Sequence, residues 1–145
     1  MEFILRVRLV VSKSKIQNLK SKIDMADKRI LAIEDHEENR RLLRDLLTSV
    51  GYEMIEAVTG EEGLTAAETE RPDLILMDIQ LPGIDGYEVT RRIKANPAIR
   101  HIPVIAVTSY ALSGDDVKAL EAGCDAYVTK PFDPAELLAK IREFL

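Results

Sequence analysis

The sequence predicts an α/β fold in which five parallel strands form one sheet with helices on both faces. Three observations support this prediction. Short apolar runs alternate with helical patterns from Lys28 to the end of the chain. Continuous apolar runs of four or five residues are typical of strands buried on both faces of a parallel sheet. Capping residues open the intervening segments, and alternating strands and helices are typical of right-handed βαβ units in a three-layer (βα)5 arrangement.

The first two strands differ in character. Arg29–Ile33 is almost wholly apolar, which predicts a strand buried on both faces. The segment from Glu37 to Val50 is predicted to be a helix, because its apolar residues recur at helical spacing. These residues are Leu42, Leu43, Leu46, Leu47 and Val50. The strand Tyr52–Ala57 carries Glu53 and Glu56, which indicates a position at the edge of the sheet.

A capping box, Thr59 with Glu62, opens the second predicted helix, which extends to about Glu70. A proline then breaks the chain before Leu74–Met77. This run is fully apolar and predicts a third, buried strand that ends at Asp78.

Asp85 with Glu88 is predicted to cap the third helix, which ends near Asn96 because the next residue is proline. Pro103–Val107 is again apolar and predicts the fourth strand. Thr108 follows it directly.

Ser113 with Asp116 is predicted to cap the fourth helix, and Gly123 to end it. Ala126–Thr129 is the fifth predicted strand. Asp133, followed by proline, opens the last helix. The apolar stripe of that helix is Leu137, Leu138, Ile141 and Phe144.

Composition excludes several classes of protein. The formal net charge is −5, which argues against a nucleic-acid surface. No run approaches the ~20 apolar residues that a membrane-spanning helix needs. Cys124 is the single cysteine, so no intramolecular disulfide can form, and a buried thiol in the reducing cytoplasm is expected.

The amino-terminal segment has a different charge from the rest. Residues 1–24 hold six basic and two acidic residues, a net charge of +4, whereas the remainder has a net charge of −9. We therefore expect a basic extension over 1–27 and one domain over 28–145. Two interpretations stay open: either translation naturally begins at Met25 and the upstream part is a leader, or the extension is a basic arm that docks to a partner or an anionic surface.

Polar residues follow four of the predicted strands. Glu34 and Asp35 follow the first strand, Asp78 the third, Thr108 the fourth and Lys130 the fifth. Sites in open parallel sheets form outside the carboxyl ends of the strands, so we expect these side chains to meet at one edge. Any one of them alone has an ordinary explanation, such as a helix cap or a surface lysine. Their joint placement indicates a site.

The chemistry of this set points to phosphoryl transfer. Three close carboxylates repel one another and need a compensating cation. Oxygen ligands favour a hard ion such as Mg²⁺, and Lys130 can balance the remaining charge. A carboxylate beside Mg²⁺ and a lysine is a plausible phosphoryl acceptor.

Four motifs in order carry a family resemblance. They are Glu34-Asp35, the run LILMDIQLPGIDG over 74–86, Val107-Thr108-Ser109, and Tyr127–Phe132. From about Lys28 to Leu145 the chain resembles the response-regulator receiver domain of two-component systems, and it is similar to single-domain regulators of the DivK kind. The resemblance implies a CheY-like, flavodoxin-like fold with strand order 2-1-3-4-5.

The resemblance also implies a phosphoacceptor and a metal site. Asp78 would take the phosphoryl group from a sensor histidine kinase or a histidine phosphotransferase. Glu34, Asp35, Asp78 and the backbone carbonyl of Gln80 would hold Mg²⁺. Glu34 stands where aspartate is commoner in the family, so its longer side chain is expected to reach the ion through water.

Further roles follow from the same resemblance. Lys130 and Thr108 would bind the phosphoryl group, and the peptide bond to Pro131 is expected to be cis. Tyr127 would turn inward as Thr108 moves, although it could instead only pack in the core. The face formed by the fourth helix, the fifth strand and the last helix would bind a downstream protein. Gln80 and Tyr110 flank the site, where residues of the family influence the lifetime of the phosphoryl group.

The expected function is a phosphoaccepting switch in the cytoplasm rather than an enzyme, without an output domain after the last helix. A phosphohydrolase of the haloacid-dehalogenase kind usually has a second aspartate where Gln80 stands. A flavin site would need a phosphate-binding loop where this chain has acidic residues. A receiver that serves as a constitutive scaffold stays open. We expect neither His36 nor His101 to bind metal.

Overall fold

The computed structural model describes residues 28–109 and 114–145, and within them the predicted fold class is confirmed. Five parallel strands form one sheet in the order β2-β1-β3-β4-β5, as the family resemblance implied. The strands are β1 (Arg29–Ile33), β2 (Glu53–Ala57), β3 (Leu74–Asp78), β4 (Val104–Thr108) and β5 (Ala126–Thr129). The helices of the described residues are α1 (Glu37–Ser49), α2 (Gly60–Glu70), α3 (Gly86–Ala95), α4 (Asp115–Ala122) and α5 (Pro134–Phe144).

The sheet explains which strands are apolar throughout. All residues of β3 and β4 are buried, because both strands lie inside the sheet and are covered on both faces. β2 lies at the edge, and its Glu53 and Glu56 are exposed, as predicted. These two glutamates discourage pairing with a further strand at that edge.

Two hydrophobic cores lie on opposite faces of the sheet, since successive residues of a strand point to opposite faces. In β1, Leu31 and Ile33 belong to the core that packs against α2, α3 and α4. Ile30 and Ala32 belong to the core that packs against α1 and α5. The cores are mostly aliphatic and hold the strand ends in fixed register, which positions the loops at the carboxyl edge.

The predicted helix starts have the expected caps. The Thr59 hydroxyl accepts a hydrogen bond from the Glu62 N–H at 3.1 Å. Asp85 accepts from the Glu88 N–H at 2.9 Å, and Asp133 caps α5 by accepting from the Ala135 N–H at 3.0 Å. The N-cap of α4 is Gly114, one residue after the predicted Ser113, which lies outside the described residues.

One residue of the predicted apolar stripe of α1 does not enter the core. Leu43 and Leu47 are buried, but Leu42 is 62% exposed. The buried pair lies four residues apart on the sheet side of the helix, and a neighbour in sequence is rotated by about 100° away from that side.

Other expectations concern residues 1–27, which lie outside the described part of the chain. Among the helices that are described, none has the length and apolar character needed to cross a membrane.

Candidate functional site

The residues predicted to form the site lie at one edge of the sheet. The register places Asp78 opposite Val107 at the ends of β3 and β4. Thr108 lies opposite Thr129 at the ends of β4 and β5, so Lys130 begins the loop directly beside it. Parallel strands end at a common edge, and these side chains come together for that reason.

Lys130 connects two of the carboxylates. Its Nζ donates a hydrogen bond to Glu34 Oε2 at 2.8 Å and lies 3.7 Å from Asp78 Oδ2. The lysine side chain is only 15% exposed. A mostly desolvated ammonium interacts more strongly with nearby charge than a surface lysine does. Lys130 therefore offers a fixed positive charge between the ends of β1 and β3.

Glu34 is buried, and both of its carboxylate oxygens accept hydrogen bonds. Besides Lys130, it accepts hydrogen bonds from Asn39 Nδ2 at 2.9 Å and from the His36 backbone N–H at 3.3 Å. Burial alone would raise the pKa of Glu34, but the hydrogen bonds from Lys130 and Asn39 outweigh it and hold the pKa below its usual value. Glu34 is thus an anion in this site.

For Asp78, the effects that raise the pKa outweigh those that lower it. Its side chain is 4% exposed, and Oδ1 accepts a hydrogen bond from the Gln80 N–H at 3.1 Å. Burial, together with the negative charge of Glu34, raises the pKa of Asp78 to about 6 in spite of Lys130 and the Gln80 amide. Lys130 alone therefore does not offset the burial of Asp78 and the negative charge of Glu34.

The donor set fits a divalent cation. Asp35 Oδ1 is buried without a hydrogen-bond partner among the described residues. Ligand atoms of Glu34, Asp35, His36 and Asp78 all lie within 4.8 Å of one another. Three ionised carboxylates and one ammonium leave two negative charges, which a divalent ion would neutralise. Carboxylate oxygens are the ligands that Mg²⁺ prefers.

His36 is part of this cluster, although nothing in the sequence predicted that it binds a metal. Its Nδ1 lies 3.3 Å from Glu34 Oε1 and 3.2 Å from Asp35 Oδ1. The only feature of the sequence that could have indicated this position is that His36 directly follows Glu34 and Asp35. That adjacency does not settle the direction of a side chain at a strand-to-helix turn, which depends on how α1 packs.

Thr108 and Tyr127 lie on the neighbouring strands β4 and β5. Thr108 is buried, and its carbonyl accepts from the Lys130 N–H at 2.7 Å. Tyr127 is partly buried and packs against the core on the α2–α3–α4 face.

The Lys130–Pro131 peptide bond is cis, the isomer that the resemblance implied. Gln80 is exposed, and Tyr110 lies outside the described residues.

Gly86 brings α3 against the backbone of the acceptor loop. A Cβ built on it would lie 2.4 Å from the Asp78 carbonyl oxygen and 2.7 Å from Ile79 Cα. The Gly86 N–H also donates to the Ile79 carbonyl at 2.9 Å. The position therefore requires glycine, because a side chain would push the loop away. No pattern in the sequence predicted this role of Gly86.

An open, largely apolar groove of about 630 Å³ adjoins the site. It lies between α1 and the loop after β5, and Lys130 is part of its wall. Its remaining lining residues are Asn39, Leu42, Leu46, Ser109, Pro131, Phe132 and Pro134. The exposed Leu42 thus faces a concave surface next to the reactive cluster.

Comparisons with known proteins agree with this geometry. A family model for the response regulator receiver domain matches residues 30–142. The polar-differentiation response regulator DivK of Brucella anthropi is 46% identical over 118 residues, which cover 81% of this chain and 96% of that protein. The corresponding protein of Brucella ovis is 45% identical over the same length, with the same coverage.

Solved structures give the same result. The receiver domain of a sensor histidine kinase from Pseudomonas aeruginosa, described with magnesium coordinated in its active-site cleft, has a TM-score of 0.76 and 39% identity. The match covers 81% of this chain and 96% of that one. A CheY-like receiver domain protein from Methanospirillum hungatei has a TM-score of 0.74 and 38% identity, over 80% of this chain and 91% of that one.

Proposed function

The chain belongs to the response regulator receiver domain family, and from that membership we propose that Asp78 accepts a phosphoryl group from a histidine kinase or a histidine phosphotransferase. The observation that carries this proposal is the buried cluster in which Asp78 lies 3.7 Å from Lys130 and close to two further carboxylates. The protein would act as a switch in the cytoplasm rather than as an enzyme with turnover.

The transfer step needs a nucleophile and charge neutralisation. An ionised Asp78 oxygen would attack phosphorus, the bond from phosphorus to the donor imidazole nitrogen would break, and an acyl phosphate would form. Glu34, Asp35, Asp78 and the Gln80 carbonyl would hold Mg²⁺. When bound, this ion supplies positive charge to the phosphoryl oxygens. Lys130 would supply further positive charge from its place between Glu34 and Asp78.

The phosphorylated form would be read by another protein. The added group brings roughly 1.5 to 2 negative charges, which would draw the Thr108 hydroxyl towards it. Movement of Thr108 would open space for the Tyr127 ring and change the face formed by α4, β5 and α5.

Tyr127→Ala is expected to weaken binding of the downstream partner while Asp78 is still phosphorylated. Unchanged binding would leave Tyr127 with a packing role alone.

A protein donor is favoured by the groove beside the site. A phosphohistidine must approach Asp78 closely, and the apolar wall at Leu42 and Phe132 offers contact area for the donor's surface.

Leu42→Glu is expected to slow transfer from a phosphorylated donor protein at least tenfold and to leave labelling by acetyl phosphate unchanged. Equal rates with the donor protein would exclude this contact surface.

The acceptor assignment is tested by labelling with acetyl phosphate. Asp78→Asn should abolish labelling, because an amide cannot form the acyl phosphate. Asp45→Asn, at an exposed position of α1, is the matched control and should be labelled like the wild type. Excess chelator should block labelling of the wild type. Retained labelling of Asp78→Asn would place the acceptor elsewhere, and full labelling in chelator would rule out the metal.

A further inference from the structure

We propose that the His36 imidazole is a nitrogen ligand of the divalent ion, so that this site holds a first-row transition ion such as Mn²⁺ more tightly than Mg²⁺. The proposal rests on the metal site of the proposed function. It adds a donor of a different chemical class to a set that otherwise consists of oxygens. The consequence is a change in which ion the protein selects.

The spacing of the donor atoms fits one coordination sphere. His36 Nδ1 lies 3.2 Å from Asp35 Oδ1 and 3.3 Å from Glu34 Oε1. Adjacent ligands of an octahedral ion bound at about 2.1 Å are about 3 Å apart. The imidazole nitrogen therefore already stands at the distance of a neighbouring ligand from two carboxylate oxygens. Asp78 also lies within reach, since one ligand atom from each of the four residues falls within 4.8 Å of the others.

The local structure holds His36 against the acidic cluster, with its Nδ1 at hydrogen-bonding distance, 3.3 Å, from Glu34 Oε1. His36 is the N-cap residue of α1, but its side chain makes no capping hydrogen bond. Its backbone N–H donates to Glu34 Oε1, which ties the turn to the acidic cluster. The His36 side chain is 69% exposed, so an ion that carries water ligands can reach it.

Carboxylates alone would not favour a transition ion over Mg²⁺. The Glu34 oxygens also accept hydrogen bonds from Asn39 and Lys130, so each has fewer lone pairs to offer an ion. Asp35 Oδ1 is buried and has no hydrogen-bond partner among the described residues, so its lone pairs are available. Carboxylate oxygens next to an imidazole favour Mn²⁺, Co²⁺ or Zn²⁺, whereas Mg²⁺ prefers oxygen ligands and water.

The alternative is that the imidazole only donates a hydrogen bond to the carboxylates. Electron spin echo spectroscopy of the Mn²⁺-loaded full chain separates the two cases, because directly bound ¹⁴N gives a characteristic modulation. The wild type should show imidazole modulation, and His36→Asn should lose it. Asparagine is a favoured N-cap, so this variant should fold. His101→Asn, at the other histidine of the chain, is the matched control and should retain the modulation.

Calorimetric titrations with the two ions complete the test. His36→Asn should raise the Kd for Mn²⁺ about tenfold and the Kd for Mg²⁺ less than threefold. Absence of nitrogen modulation in the wild type, its persistence in His36→Asn, or equal loss of affinity for both ions would overturn the proposal.

These measurements need no phosphoryl donor, so they do not depend on whether Asp78 is the acceptor. Acetyl phosphate labelling of the wild type in Mg²⁺ is measured separately and reports on Asp78 alone. If the wild type is labelled on Asp78 but shows no nitrogen modulation, the ligand proposal fails and the proposed function stands. If Mn²⁺ binds through nitrogen but Asp78 is never labelled, the ligand proposal stands and the proposed function fails.

Discussion

The balance of charge around single atoms determines how this site behaves. Lys130 donates a hydrogen bond to Glu34 at 2.8 Å, while its distance to Asp78 is 3.7 Å. One ammonium cannot satisfy two buried carboxylates equally, and Glu34 has the shorter contact together with the Asn39 amide. Asp78 is therefore the carboxylate whose ionisation costs the most, although it is the one that the proposed chemistry needs as an anion.

This balance predicts how stability depends on pH in the absence of metal. The folded-state pKa of Asp78, about 6, lies above its value of about 3.9 in an unfolded chain. Protons therefore bind more tightly to the folded state. The associated stability is fully present below about pH 4 and is lost as the pH rises through 6. At pH 7 in chelator, Asp78→Asn should be more stable than the wild type by on the order of 1–3 kcal/mol.

Urea denaturation at pH 7 and at pH 4 checks this prediction. The advantage of Asp78→Asn should shrink to a small fraction at pH 4, where the wild-type carboxyl is neutral in the folded state and about half protonated in the unfolded chain. An Asp78→Asn variant that is less stable than the wild type at pH 7 would contradict the inferred charge balance.

At the scale of elements, the sequence predicted the strands and helix caps well, because these depend on local pattern. β1, β3 and β4 are buried on both faces, and their apolar runs marked them to within a residue. The positions of Leu42, His36 and Gly86 could not be predicted in this way. Each depends on how a helix packs against the sheet or a loop, and hydrophobic periodicity carries no information about the distance between two elements.

The two leucines of α1 provide a matched test of that packing. Leu47 is fully buried in the core between α1, α5 and the sheet, while Leu42 is 62% exposed. Leu47→Ala should lower the free energy of unfolding by about 2–5 kcal/mol through lost burial and a cavity. Leu42→Ala should change it by less than about 0.5 kcal/mol. Comparable losses in urea denaturation would mean that the helix is rotated from the described orientation.

The contact between α3 and the acceptor loop makes a second prediction at this scale. Gly86→Ala should lose about 1–3 kcal/mol of stability, despite the better helix propensity of alanine, because the Cβ would meet backbone atoms that cannot move aside. Labelling by acetyl phosphate should also slow, since the Asp78 backbone must shift.

Gly114→Ala is the comparison for that variant. A Cβ there meets nothing within 4 Å, although the φ of +99° is unfavourable for alanine. It should lose about 1 kcal/mol and keep its labelling rate. Normal labelling of Gly86→Ala would show that the close approach of α3 does not position the acceptor.

The whole sheet is needed to assemble the site. Glu34 and Lys130 are 96 residues apart in sequence and meet only when the first and last strands occupy their places. Asp78 comes from the central strand between them. An unfolded chain holds none of these groups together, so an ion that binds the cluster binds the folded state alone. Its binding free energy then adds to the stability of the entire domain.

Mg²⁺ should therefore raise global stability in a saturable way. At a concentration of one hundred times Kd, the increase should be about 2.7 kcal/mol. Thermal unfolding followed by circular dichroism at several Mg²⁺ concentrations measures it. Asp35→Asn, which removes the carboxylate with the unpaired oxygen, should lose most of the increase. Identical increases in both proteins would show that the ion stabilises the fold from another place.

The ion pair between Lys130 and Glu34 has a consequence for the energetics of signalling. If Lys130 turns to a phosphoryl oxygen, it must release a carboxylate that it already holds at 2.8 Å. Lys130 would then exchange one anion, the Glu34 carboxylate, for another, the phosphoryl group. Only the difference between the two interaction free energies can drive a change of shape. A resting state that is already paired in this way reduces the free energy that the new lysine contact can contribute to a change of shape.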